Sequence, residues 1–204
     1  MSNKERELNK IRFAGDTLED EKLWYTYFHW ALEKARFGQT KNKTTNPAVV
    51  DNPVNRVKDS FSFALRIIIF SAFALEYRVR RVLIYMDAKH EYEENFTRLL
   101  KDFWDLLSNI DRLDKKGKCS PPTEWNNCLE DLRQLVKLRN NIAHANYREI
   151  LSFFSGAENP LKMARRYYNS VVDALRLINI GTGYETRPDE EANKNFELLR
   201  VADG

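Results

Sequence analysis

The chain reads as an all-α protein, an up-and-down bundle of four to five helices. Three observations predict this class. Apolar residues recur at spacings of three and four over long stretches, and no stretch of useful length alternates as a strand would. Glycine and proline are scarce, 7 and 6 in 204 residues, which favours long uninterrupted helices over turn-rich β architecture. The hydrophobic fraction of 43% is ordinary, and the length allows one apolar core without disulfides or metal.

The elements follow in order. A first helical region lies within about residues 4–37, with Trp24, Phe28 and Ala31 at helical spacing. Gly38 to Asn55, with Asn46-Pro47 and Asn52-Pro53, reads as a loop. A second helix is expected from about Asp59 to Asp87, its stripe running through Leu65, Ile69, Ala72, Val79 and Leu83. Its other faces are apolar too, which places it in the middle of the bundle. A third, at about 91–111, puts Phe96, Leu99, Phe103, Leu106 and Ile110 on one face.

Ser120-Pro121 supplies a capping residue followed by proline at the first helical position, opening a fourth helix that reaches about Asn146. Asn159-Pro160 starts a fifth in the same way. Leu161, Ala164, Tyr168, Val171, Leu175 and Ile178 form its core stripe, and Gly181 and Gly183 end it. A short last helix after Pro188 would turn Ala192, Phe196 and Leu199 inward. The organisation is one domain: residues 1–58 an N-terminal helical region and loop, 59–181 the bundle, 182–204 a tail.

Net charge is +3, with 33 basic residues available for a local patch. Cys119 and Cys128 form no CxxC pair and have no nearby histidines at zinc-ligand spacing. They read as free thiols in a reducing cytosol, so a cytoplasmic location is expected. The charged start MSNKERELNK is no signal peptide. The apolar run Phe61 to Leu75 carries Arg66, ends at Glu76 and falls short of the about 20 apolar residues of a membrane span. No membrane association is expected. His29 and His90 have no second histidine at ligand spacing, and no HExxH, P-loop or complete GxGxxG occurs. The expectation is no metal and no cofactor.

The fourth helix carries the chemistry. Leu132, Leu135, Ile142 and Asn146 step along one stripe, and the position between Leu135 and Ile142 is Arg139. An inward charge is costly unless paired or facing water or a partner. The stripe of the second helix passes through Glu76. One inward acid and one inward base predict an ion pair. Asn140 and His144 share a helix face, whereas Arg139 and His144 stand about 140° apart around an ideal helix. The latter two converge only if the helix loosens or a second copy closes the site. The residue types suit RNA: a guanidinium holds phosphate through two parallel hydrogen bonds, and an imidazole moves protons at neutral pH. Taken alone, an arginine and a histidine five apart on a helix are common.

Arg139-Asn140-Asn141-Ile142-Ala143-His144 resembles the Arg-(four to six residues)-His signature of the HEPN family, with Asn140 as the polar residue after the arginine. Phe73-Ala74-Leu75-Glu76 resembles the family's helix carrying an acidic residue. The resemblance covers roughly 60–180. It implies a HEPN-like bundle that dimerises with its motif helices together, and a metal-independent endoribonuclease, as in toxin, antiphage and RNA-processing members. Arg139 would then hold the scissile phosphate, His144 act as general acid or base, and Asn140 orient. Glu76, Tyr147 and Asn141 are auxiliary. Arg78, Arg81, Lys137, Arg165 and Arg166 are expected to track an RNA backbone, some beside aromatics. Tyr168 itself reads better as core. Expected partners are RNA, a second copy, and an antitoxin or nucleotidyltransferase-like protein. The competing reading is a non-catalytic HEPN-like RNA-binding or protein-interaction module.

Overall fold

A computed structural model describes residues 26–36, 53–85, 95–108, 123–155, 159–182 and 199–202. Six helices and no strand lie among the described residues, so the class is all-α. We number them α1 (26–36), α2 (Pro53–Tyr85), α3 (Phe96–Ser108), α4 (Thr123–Ala143), α5 (Tyr147–Phe154) and α6 (Pro160–Thr182). Trp24, Cys119, Ala192 and Phe196, and with them most of the expected last helix, lie outside the described residues.

The starts of α3 and α6 show why they begin where they do. Asn159 Oδ1 accepts a hydrogen bond from Leu161 N at 2.9 Å, and Pro160 opens α6 without a backbone N–H to leave unpaired. Asn95 Oδ1 caps α3 in the same way, accepting from Thr97 N at 2.9 Å. The helix α2 also begins on an Asn-Pro pair: its first residue is Pro53. This corrects the expected loop to Asn55, and the division at residue 58 falls inside a helix.

The central helix is α2, packed against α3, α4 and α6. Its buried faces run through Ala64, Ile67, Ile68, Ala72, Leu75, Val79, Val82 and Leu83, while Leu65 and Ile69 are only half-buried. Ser60–Leu83 is long and apolar enough, by length and composition, to cross a membrane. That stretch exceeds the Phe61–Leu75 run, so shortness is no argument against a span. A helix enclosed by neighbours on several sides meets the same test.

Pairings set the directions. Phe28 of α1 stacks on Tyr168 of α6 at 6.0 Å, and Arg165 Nε donates to Ala35 O at 3.1 Å. Residue numbers rise along one helix as they fall along the other, so the two are antiparallel. Asp131 joins α4 to α6, accepting from Ser170 Oγ at 3.0 Å with Arg166 Nε 3.5 Å away. Phe103, Trp104 and Trp125 pack at 5.3–5.6 Å between α3 and α4. The core stripe of α6 runs through the expected residues: Ala164, Tyr168, Val171, Leu175 and Ile178 are buried, and Leu161 at its start is half-buried.

Residues 199–202 return to α6. Asn169 Nδ2 donates to Val201 O at 2.9 Å and Val201 N donates to Asn169 Oδ1 at 3.1 Å. The Tyr168 hydroxyl donates to Leu199 O at 3.0 Å, and burial pushes this phenol well above its ordinary range, keeping it a neutral donor. Cys128 is a free, buried thiol donating to Trp125 O at 3.2 Å. Burial, with the nearby Asp173 charge second, pushes it up to about 12. It is therefore a poor nucleophile at neutral pH.

Candidate functional site

The helix carrying the motif does not continue to Asn146. It ends at Ala143, the chain turns, and α5 starts at Tyr147. Two hydrogen bonds close the turn. Ala145 N donates to Ile142 O at 3.1 Å, and Asn146 N donates to Asn141 O at 2.9 Å. Ala145 has φ 52°. This is the Schellman pattern, a 6→1 and a 5→2 bond around a left-handed residue, usually glycine. Alanine takes that conformation at a cost of about 1 kcal/mol. Ala145→Gly should therefore raise stability by about 0.5–1 kcal/mol, a melting-temperature gain of roughly 1–4 °C in thermal denaturation. An unchanged or lower melting temperature would show that glycine's extra freedom in the unfolded chain outweighs the relief.

The turn decides where the site residues point. His144 is the last residue before the left-handed step, its N–H donating to Asn140 O at 2.9 Å. Its imidazole is exposed and makes no hydrogen bond among the described residues. Asn140 and Asn141 are half-buried one turn back, and Asn146 Nδ2 donates to Asn141 Oδ1 at 3.3 Å. Tyr147 follows the turn and is 73% exposed. His144 and Tyr147 thus share an open end of the bundle.

Arg139 points the other way. Its Nη2 donates to Glu76 Oε2 of α2, in an ion pair whose side chains are 17% and 20% exposed. Glu76 Oε1 also accepts from Arg80 Nε at 3.1 Å. The guanidinium carbon of Arg139 lies 5.5 Å from the Phe73 ring centre. Its Nε is buried with no hydrogen-bond partner among the described residues. Two guanidiniums share the Glu76 carboxylate. The opposite charges on two apolar stripes do meet, while Arg139 and His144 leave α4 on different sides.

The basic residues divide. Arg78, Arg81 and Arg165 are buried, with Arg165 donating to the Ala35 carbonyl. A side chain enclosed in this way cannot track a phosphate backbone, which corrects the expectation for these three. Lys137 and Arg166 are exposed. Arg166 lies beside Asp131 and 5.1 Å from the Tyr167 ring centre. Sequence reasoning also missed Trp30 and Leu151, apolar yet 44% and 61% exposed. Leu151 stands one turn beyond Tyr147 on α5. A helix between residues 147 and 154 had no glycine or proline to announce it.

Among the described residues no three His, Cys, Asp or Glu side chains gather closely enough to hold a metal ion. What the fold and these contacts define is an all-α bundle with a paired acid and base inside and an exposed histidine at one helix end. Comparison with family models, with curated proteins and with solved structures finds no match.

Proposed function

We propose that the chain is a HEPN-type endoribonuclease that cleaves RNA without metal, by attack of the ribose 2′-hydroxyl on its own phosphate. The observation that carries this reading is the contact between Arg139 and Glu76. It joins the two segments on which the family resemblance rests, which lie 63 residues apart in the chain. The accessible imidazole of His144 completes the residue set.

In this reading His144 takes the proton from the 2′-hydroxyl. The 2′-oxygen forms a bond to phosphorus as the bond to the 5′-oxygen breaks. A second imidazole, that of another copy, returns a proton to the leaving oxygen. Arg139 neutralises the phosphate. Because Arg139 and His144 diverge on one chain, the reading includes a homodimer in which two sets face one cleft. The exposed Tyr147 and Leu151 beside His144 fit such a contact. Of the basic residues expected to hold RNA, Lys137 and Arg166 are exposed, Arg166 beside Asp131. A role in toxin–antitoxin or antiviral systems, in the cytoplasm and with an antitoxin partner, would follow from the same family.

A non-catalytic RNA-binding or interaction module is the second reading. The commitment of Arg139 to Glu76 favours it, because a guanidinium engaged by a carboxylate is less free to clamp phosphate. Incubation of the pure protein with a mixed RNA pool in EDTA separates the two. Cleavage should persist and leave 2′,3′-cyclic phosphate and 5′-hydroxyl ends. Activity that vanishes in EDTA and returns with Mg²⁺ would overturn the chemistry, and an absence of cleavage over many RNAs would leave the binding module.

A further inference from the structure

One side of α2 carries a pattern that this reading leaves unused. Phe63, Arg66, Phe70, Phe73, Tyr77 and Arg80 succeed one another at spacings of three and four, so they form one stripe along the helix. None of the six is fully buried, and Arg66 is exposed. Two rings from α1 lie against the stripe. Tyr27 stacks on Tyr77 at 5.7 Å and on Phe70 at 6.2 Å, and Trp30 leans on Phe70 at 5.2 Å with its plane tilted by 57°. Trp30 remains 44% exposed. The Arg66 guanidinium carbon lies 5.9 Å from the Phe63 ring centre, and Arg66 forms no ion pair among the described residues. Farther along, Phe73 is the ring that carries Arg139.

Partly exposed rings interleaved with arginine are what a single nucleic-acid strand requires. The exposed indole of Trp30 offers a face to an unpaired base and the Arg66 guanidinium offers charge to phosphate. Packing of Tyr27 on Phe70, Phe73 and Tyr77 accounts for those three rings, but for neither the half-open indole nor the exposed Arg66. An apolar protein partner would call for an unbroken apolar row, and Arg66 interrupts this one. Arg66 and Phe73 stand seven residues apart, roughly 10 Å along the axis, room for about two to three stacked nucleotides.

We propose that this stripe binds single-stranded RNA, with an unpaired base stacked on the exposed face of Trp30, a phosphate at Arg66, and the strand leading toward Arg139. That the strand is RNA rests on the ribonuclease reading. The stacking site itself rests on the rings and Arg66.

The test uses a short fluorescent 2′-O-methyl oligonucleotide, which lacks the attacking hydroxyl and stays intact. Anisotropy titrations compare it with the matching duplex. Wild type should bind the single strand more tightly than the duplex, whose bases are already stacked. Trp30→Ala should weaken single-strand binding about 10-fold or more, and Trp30→Tyr should restore most of it. Arg66→Ala, at an exposed position, should weaken binding and reduce the slope of log affinity against log salt by about one. Unchanged affinity in Trp30→Ala and Arg66→Ala would overturn the inference, even if wild type cleaves ordinary RNA and the ribonuclease reading stands. Loss of binding in both variants would uphold the stripe, even if wild type cleaves nothing and the ribonuclease reading falls. No single-strand binding by wild type would overturn the inference. So would a Trp30→Ala chain of half the wild-type mass by light scattering and unaltered affinity, which would assign the stripe to contact between copies.

Discussion

Glu76→Ala is expected to lower stability by about 2–3 kcal/mol, a fall in melting temperature of roughly 4–12 °C. The carboxylate holds Arg139 from α4 and Arg80 from its own helix. Without it, the Arg139 guanidinium, 17% exposed, loses the carboxylate to which it donates. Breaking a fully buried pair costs about 3–5 kcal/mol, and the residual solvent here lowers that figure. Arg139→Ala should cost somewhat less, because Arg80 still pairs with the remaining carboxylate and only the stacking on Phe73 is also lost. The double variant should be more stable than the sum of the two losses implies, with a coupling of about 1–2 kcal/mol in a double-mutant cycle measured by denaturant. A coupling near zero would show that the two side chains stabilise independently. Because Asp131 joins α4 to α6 elsewhere, the bundle should keep its helical circular dichroism in all three variants.

That ion pair was legible in the sequence because both partners sit on otherwise apolar stripes, and opposite charges in such places must find each other or water. The start of α6 was legible because asparagine then proline is a capping signal whatever surrounds it. The same signal stands at Asn52-Pro53, but the polar residues before it argue for a loop. The end of α4 was hidden for a specific reason. Chains usually mark a left-handed step with glycine, and here Ala145 takes it, held by the bonds to Ile142 and Asn141. The expected helix therefore ran three residues too far, and α5 disappeared into a loop. The buried state of Arg165 was hidden because its partner is distant. Arg165 reaches a carbonyl 130 residues away in sequence. Local composition made it look like solvated charge, and only the packing of α1 on α6 shows otherwise.

The turn at Ala145 also shapes the strongest expected effect on activity. His144→Ala should lower RNA cleavage at least ~100-fold, the low end for loss of a general acid or base. The fold should be almost unaffected, with a melting temperature near wild type. The imidazole is exposed and bonds to no described residue, so its removal leaves neither a cavity nor an unpaired partner. Only the backbone of residue 144 takes part in ending α4, and alanine supplies the same N–H to Asn140. Arg139→Ala should also abolish cleavage, but together with a stability loss, because its guanidinium lies between two helices. The contrast between the two is the informative quantity. Loss of cleavage in His144→Ala at unchanged melting temperature would locate the chemistry at the exposed helix end. Equal cleavage by His144→Ala and wild type, at verified fold, would mean that the imidazole moves no proton. The activity would then belong to another site or to a contaminant, and the arginine–glutamate pair would remain as a structural brace of the bundle.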